Sequence, residues 1–422
     1  MNKLKEYKLN ELYNMSSGIS SSKDQAGSGY PFVSFRDIFN NTILPENLTE
    51  LMNTSEKERI KYSVKKGDVF ITRTSETPDE LAMSSVALKD YPNATFSGFA
   101  KRLRAINDKI VYDRYMAFYF RSKYFRKIIN ANTIMTLRAS FNEEMFSYIK
   151  IQLPDYDTQV KIGDMLYKIE EKILINNQIN NNLEELMKTL YQRWFIEFEF
   201  PNEDGKPYKS SGGKFIYSEE LKQNIPTNWE IKKLTDISNF ISGFAFSSNN
   251  YTKNGQYKLY TIKNVQDGYI VSIVDNTLNK LPINMPHECL LKPKDLIMSL
   301  TGNVGRVGLV YENNALLNQR VLKIVPQKNL CYLYSMYRND FMKSRCEKIS
   351  SGTSQKNLSP IELGKQKISY SEIIVEKFEE HNKYLIDTYV NNLIENQKLT
   401  ELKEFLLPML MNGQINVDNI KI

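Results

Sequence analysis

Between residues 162 and 194 the chain places Ile162, Leu166, Ile169, Ile173, Asn176, Asn180, Leu183, Met187, Leu190 and Trp194 at steps alternating four and three. That spacing keeps a narrow stripe on one face of a helix and is the seam of a coiled coil. It returns 216 residues later as Phe378, Asn382, Leu385, Tyr389, Asn392, Asn396, Leu399, Lys403, Leu406 and Leu410. Two long helices are therefore predicted, each roughly 50 Å long at a rise of 1.5 Å per residue. Both carry asparagine at the same two central seam positions, Asn176 and Asn180 in one and Asn392 and Asn396 in the other. A buried asparagine costs stability but penalises slipped pairings, so these four residues are assigned the register. We read the helices as an antiparallel coiled coil, which relates the halves of the chain by a pseudo-twofold. The alternative is that each packs on the region before it as an ordinary amphipathic helix.

The stretches ahead of the helices also repeat. Short apolar, β-like runs at Asp68–Thr72 and Leu103–Ile106 match others at Leu296–Leu300 and Val321–Val325, all broken by Gly, Asn and Ser. Asp68 and Asp295 each precede such a run, Lys101–Ile106 resembles Gln319–Ile324 with Arg102 set against Arg320, and Phe120–Phe125 resembles Tyr337–Met342. Similarities in one order at nearly one offset indicate an internal duplication. The predicted fold is α+β: two mixed α/β modules in pseudo-twofold repeat, separated by two long helices. The boundaries are placed at 1–153 for the first module and 154–200 for the first helix. A Pro-, Gly-, Ser- and Lys-rich linker occupies 201–225, the second module 226–370, and the second helix with its tail 371–422.

A net charge of +7 makes a polyanionic partner plausible without defining the fold. The three cysteines, Cys289, Cys331 and Cys346, form no CxxC pair and fit a reduced cytoplasmic setting. The N-terminus lacks the apolar core of a signal peptide, and no apolar run approaches the roughly 18 residues of a membrane span. A membrane partner is not expected.

Catalytic signatures are missing where an enzyme should show them. The chain has no GxxxxGK[ST] loop, and Gly302, Gly305 and Gly308 lack the strand–turn–helix setting of a dinucleotide site. It has no Asn/Asp-Pro-Pro-aromatic tetrapeptide of an amino-methyltransferase. Its two histidines, His287 and His381, are far apart, and His287 with Cys289 makes two potential metal ligands without a second pair. Asp155, Glu170 and Lys172 match the loose spacing of a nuclease motif, which requires them to converge on one cation. Glu170 and Lys172 fall inside the first long helix and read as a solvated face. No catalytic residue, metal or cofactor is assigned.

Nucleic-acid contacts have better candidates. Lys101–Lys127 holds nine Lys or Arg against Asp108 and Asp113, with aromatics interleaved, so it offers phosphate contacts or else a solvated face around core aromatics. Reading sequence needs loops bearing hydroxyls, amides and guanidinium groups. After equivalent strands the halves offer Arg73, Thr74 and Ser75 against Thr301, Asn303 and Arg306, where Gly302 and Gly305 allow close backbone approach. A second pair of loops offers Arg138 against Ser354, Gln355 and Lys356. With Lys101, Arg102 and Arg320 these are the predicted DNA-binding residues.

The duplicated layout, the linker after Trp194-Phe195, Gly302-Asn-Val-Gly and Gly352-Thr-Ser-Gln-Lys-Asn-Leu358 together resemble the specificity subunit of type I restriction–modification systems. The resemblance covers essentially the whole chain. It implies two target-recognition domains, each reading half of a bipartite site in double-stranded DNA. It further implies that the antiparallel coiled coil sets the gap between half-sites and docks two methyltransferase subunits, with restriction subunits joining the complex. S-adenosylmethionine and ATP then belong to those partners, and the chain itself is non-catalytic. In the first half Ser75-Glu-Thr-Pro-Asp79 replaces the Gly-rich turn, implying different half-sites. Two other readings of the residues are a coiled-coil scaffold without a nucleic-acid role and a stand-alone nuclease.

Overall fold

A computed structural model describes residues 4–20, 23–133, 138–352 and 355–415. The chain forms two compact units, Met1–Ile173 with Lys398–Ile422, and Leu174–Gln397. The division falls inside both long helices rather than at their ends, so each unit owns part of each helix.

In the first unit a four-stranded antiparallel sheet uses β1 (Tyr13–Ser17), β2 (Val69–Thr72), β3 (Ser84–Val86) and β4 (Ala100–Ala105) in the order β1-β4-β2-β3. Helices α1 (Asp113–Tyr119) and α2 (Lys123–Asn132) cover it, and α3 (Tyr156–Tyr191) follows, ending in a wider turn at Gln192–Ile196. The second unit repeats the plan. Its β5 (Ser238–Ser242), β6 (Leu296–Ser299), β7 (Val307–Leu309) and β8 (Val321–Pro326) lie in the order β5-β8-β6-β7. Then come α4 (Leu330–Arg338), α5 (Asp340–Ile349) and α6 (Glu372–Met411). Each unit adds a smaller sheet built on a parallel pair, Phe32 and Val33 beside Thr95 and Phe96 in one, Lys258–Tyr260 beside Ala315–Leu317 in the other.

The duplication is therefore one of topology, and strand register corrects one of its pairings. Phe70 faces Arg102 across β2 and β4, while Ile297 faces Lys323 across β6 and β8. The partner of Arg102 is Lys323, not Arg320. Similarity of short basic motifs misaligned the strands by three residues, because a run such as Arg-Leu-Arg matches its neighbours as well as its true counterpart.

Helix α3 has 36 residues and α6 has 40, about 54 and 60 Å of helix. They pair antiparallel within each unit. In the second unit Asn176 donates to Asn396 Oδ1 at 2.9 Å, and Asn392 donates to Asn180 Oδ1 at 2.9 Å. Asn180 also donates to the Tyr389 carbonyl at 3.1 Å, and Asn176 to Glu395 at 2.7 Å. In the first unit Lys403 reaches Glu170 at 2.6 Å. Glu170 is thus held in an interhelical ion pair and does not belong to a solvated face, because a lysine replaces an apolar residue at its point on the seam. Ile162, Leu166 and Ile169 share the first unit's core with Leu406, Leu410 and Met411. Met187, Tyr191 and Phe195 share the second unit's core with Phe378, Leu385 and Tyr389.

The stretch read as a linker is folded. Phe215–Ser218 and Gln223–Pro226 form a hairpin, Tyr208 stacks on Phe200 at 4.7 Å, and Phe198, Phe200 and Trp229 enter the second core. Its polar average hides aromatics spaced to form one local cluster. Among the described residues no helix is long and apolar enough to cross a membrane.

Because Asn392 donates to Asn180 Oδ1, losing Asn180 leaves the shielded Asn392 amide without that acceptor, at about 1–3 kcal/mol. Asn180→Leu is expected to lower the thermal midpoint by several degrees in scanning calorimetry. Replacing Asn392 by Leu as well should restore most of the loss. A single variant as stable as the native chain would refute the register role.

Candidate nucleic-acid interface

One edge of each central sheet carries three loops stitched together by main-chain bonds. In the second unit, Leu300 N–H donates to Arg320 O at 3.0 Å and Leu358 N–H to Leu300 O at 2.8 Å, while Gly302 N–H donates to Lys356 O at 3.0 Å. The loops after β6, before β8 and after α5 thereby become one surface. A shallow depression there is lined by Leu300, Thr301, Gln319, Arg320, Gln355 and Asn357. Arg320, Gln355 and Lys356 are exposed, as are Gly302 and Asn303. Thr301 is 7% exposed, and its hydroxyl has no hydrogen-bond partner among the described residues. Gly302 and Gly305 hold left-handed φ of 72° and 78°, which turns the loop back over the sheet. Arg306 donates to Gln266 at 2.9 Å and is half-buried. Ser354 lies outside the described residues.

The first unit makes the same edge with other side chains. Arg73 N–H donates to Phe99 O at 2.9 Å, and Phe141 N–H donates to Arg73 O at 2.8 Å. Thr74 and Ser75 pair with Ser140 and Ala139 as a short ladder. Arg73 is exposed, and Arg138 stands 3.5 Å from Glu76 with both largely in solvent. The structure therefore brings Arg73, Thr74, Ser75 and Arg138 to one edge, and Thr301, Asn303, Arg320, Gln355 and Lys356 to the matching one. Phe99, which belongs to none of the polar motifs, is an aromatic residue 68% exposed on this edge. Its signal was a large apolar residue between Gly98 and Ala100 in a turn, visible only once the turn is placed.

Lys101 and Arg102 do not join that surface. Lys101 is 7% exposed and donates to Ser17 at 2.9 Å, and Arg102 is 8% exposed and donates to Ser63 O at 2.6 Å. Burial first, and then the charge of Arg104, lower the Arg102 pKa. Arg104 forks onto Asp68 through two bonds of 2.6 Å, whose carboxylate also accepts the Lys65 N–H. In the second unit Lys323 reaches Asp295 at 2.7 Å, and Asp295 accepts the Lys292 N–H. Each aspartate ahead of its strand therefore closes a turn and neutralises a cation packed on the sheet.

The rest of Lys101–Lys127 is also largely structural. Arg121 donates to the carbonyls of Ser84, Ile38, Phe39 and Asn41 at 2.6–2.9 Å, and burial lowers its pKa to about 10. Its counterpart Arg338 instead binds Glu184 of α3 and Asp267. Arg114 pairs with Asp164 at 2.8 Å and lies over the Tyr167 ring. Lys109, Lys123 and Lys127 are the exposed cations of the nine. The aromatics Tyr115, Phe118, Tyr119, Phe120 and Phe125 are core. Asp155 caps α3 by accepting the Thr158 N–H at 2.9 Å. It lies about 22 Å of helix from Glu170, so the two carboxylates do not converge.

Two copies of one mixed module, joined to paired helices and each presenting a polar loop edge of its own chemistry, define a duplicated recognition protein. The family model described as the type I restriction modification DNA specificity domain matches residues 1–185 and again 226–404, and the chain belongs to that family. It is 23% identical over 478 aligned positions to the specificity subunit of the type I restriction enzyme HindI of Haemophilus influenzae, covering 98% of this chain and all of that one. It is 25% identical over 413 positions to the MjaIX specificity subunit of Methanocaldococcus jannaschii, covering 94% of this chain and 89% of the relative. The crystal structure of a type I S subunit from M. genitalium has the same fold, with a TM-score of 0.56 at 13% identity over 97% of this chain and 96% of that one.

The buried and exposed cations should separate in stability measurements. Lys323→Met strands Asp295 inside the sheet, at about 3–5 kcal/mol, whereas Arg320→Met at the exposed edge should stay within roughly 0.5 kcal/mol. Urea unfolding of the full chain distinguishes them, and equal losses would contradict the placement.

Proposed function

We propose that this chain is the DNA-sequence-reading subunit of a type I restriction–modification assembly. Its two modules read the two halves of a bipartite site in double-stranded DNA, and methyl transfer and cleavage are left to partner chains. The observation that carries the reading is the repeated loop edge: one backbone frame, stitched by equivalent main-chain bonds, presents different side chains in each half. A frame fixed by the sheet with variable tips is what reading two unlike half-sites demands, since base edges are told apart by placed donors, acceptors and apolar groups. The proposed contacts are Arg73, Thr74, Ser75 and Arg138 in one half, and Thr301, Asn303, Arg306, Arg320, Ser354, Gln355 and Lys356 in the other. Lys101 and Arg102 hold the frame rather than touch DNA. The proposed modules are 1–153 and 226–370, followed by helical regions 154–200 and 371–422 and joined through 201–225.

The partners on this reading are two methyltransferase subunits, with restriction subunits added to the assembled complex in the cytoplasm. Ile175, Ile179 and Leu186 are 47%, 38% and 43% exposed on α3 at steps of four and seven. They form an apolar stripe outside the seam that suits a helical face of the methyltransferase chain.

Mapping methylated bases genome-wide in cells with and without the gene tests the function. A split motif that vanishes with the gene is expected, and an unchanged methylation map would reject the reading. With the purified assembly, Lys356→Ala should weaken binding to all duplexes and reduce the salt slope by about 1, the signature of a phosphate contact. Arg306→Ala should weaken binding to target-bearing duplex; unchanged affinity in both variants would remove the second edge from the interface. Ile179→Asp is expected to abolish co-purification of the methyltransferase chain while leaving the thermal midpoint of the isolated subunit in place. Undiminished co-purification would move the docking face elsewhere.

A further inference from the structure

The two loop edges can be superposed residue by residue through hydrogen bonds alone. In the first unit the turn ahead of β4 runs Ser97-Gly98-Phe99-Ala100, with Ala100 N–H donating to Ser97 O at 3.0 Å and Phe99 O accepting the Arg73 N–H. In the second it runs Asn318-Gln319-Arg320-Val321, with Val321 N–H donating to Asn318 O at 2.9 Å and Arg320 O accepting the Leu300 N–H. Ser97 bridges Ile19 in parallel fashion, and Asn318 bridges Phe244 likewise. Before each bridge stands a glycine without room for a side chain. A Cβ on Gly18 would lie 2.2 Å from Ser97 O, and one on Gly243 would lie 1.9 Å from Asn318 O. Phe99 and Arg320 therefore occupy one position of one rigid turn, both exposed, one an apolar ring and the other a planar cation.

An exposed phenylalanine on a pinned turn gains nothing by packing within its own chain, and a loop tip has no core to face. Arg320 borders a depression into which Thr301 brings a buried hydroxyl that no described residue satisfies. The polar tip is thus built for a partner with hydrogen-bonding groups. The apolar tip, on the same frame and beside the exposed Arg73, needs an apolar feature on the same partner. Duplex DNA offers both in its major groove: the O6 and N7 acceptors of guanine and the C5-methyl of thymine.

Resting on the DNA-reading function above, we propose that positions 99 and 320 are equivalent base-reading positions, Phe99 packing on a thymine methyl in one half-site and Arg320 donating two hydrogen bonds to a guanine in the other. The edges then read different sequences by changing the chemistry of one turn position, with the frame intact. Neither side chain supports the fold, so substitution leaves the modules folded.

The test uses the assembly of the full chain with its methyltransferase subunits. Selection from a random duplex pool defines the preferred site. Duplexes follow in which each thymine in turn becomes uracil, which deletes only the methyl, and each guanine becomes 7-deazaguanine, which deletes only the N7 acceptor. The native assembly should lose about three- to fivefold in affinity at one thymine, the worth of one buried methyl group, and Phe99→Ala should abolish that sensitivity. It should lose about 5- to 100-fold at one guanine of the other half-site, a loss abolished by Arg320→Ala. Phe99→Arg should turn the preference at the thymine position towards a G·C pair. A native assembly that selects no sequence would overturn the DNA-reading function itself. A native assembly that selects a bipartite site, but whose analogue sensitivities persist in Phe99→Ala and Arg320→Ala, would overturn this assignment alone. A kinked duplex with no response to thymine methyl removal would likewise overturn it, making Phe99 a wedge between base steps.

Discussion

The pairing of the two long helices is the constraint on which the rest of the molecule depends. The first unit's core includes Leu406, Leu410 and Met411 from the end of α6, and the second unit's core includes Met187, Tyr191 and Phe195 from the end of α3. Each globular core is therefore completed by the far end of a helix that begins in the other half of the sequence. An apolar seam alone would tolerate slippage by a heptad, since leucine packs on leucine in several registers. The cross-helix amides do not, because a slipped helix buries Asn176 and Asn180 without partners. The four amides meet across the helices in the register that brings these helix ends to these cores.

With the helices in register, each module solves the same local problems with different chemistry. Asp68 and Asp295 both close a turn and neutralise a cation on the sheet, but Arg104 forks onto the first and Lys323 makes a single contact with the second. Near the end of the first helix after each sheet, Arg121 is satisfied by four main-chain carbonyls, while Arg338 is satisfied by the carboxylates of Glu184 and Asp267. Buried cations that find partners in such different ways show that the two copies have diverged while the ladder order stayed the same. Main-chain bonds, indifferent to side-chain identity, hold the loop edges. That is why the tips are free to differ between Phe99 and Arg320.

This separation of frame from tips accounts for the charge distribution. The most basic stretch of the sequence spends most of its arginines on carbonyls and carboxylates inside the first module, where each desolvated guanidinium requires several acceptors. The exposed cations of the loop edges are few and scattered along the chain. In the second unit Arg320 and Lys356 share an edge only because main-chain groups at 300, 320 and 358 bond across three separate loops. Net positive charge therefore located no surface.

By itself the sequence determined the helices, their seam and the existence of the duplication. These are local or periodic properties: a four-three spacing survives divergence, and an asparagine at an apolar position is visible wherever it stands. That Arg73, Arg138, Thr301, Asn303, Gln355 and Lys356 lie in loops was also legible, because turn residues and polar runs mark loops whatever packs beneath them. Only the tertiary structure decided that Arg102 matches Lys323, that both are buried, that a hairpin forms over residues 215–226, and that Phe99 stands where Arg320 stands. Strand register is set by hydrogen bonds between segments far apart in sequence, and whether a cation faces solvent or a carboxylate depends on what the opposite strand brings. Neither is encoded in the spacing of any one segment.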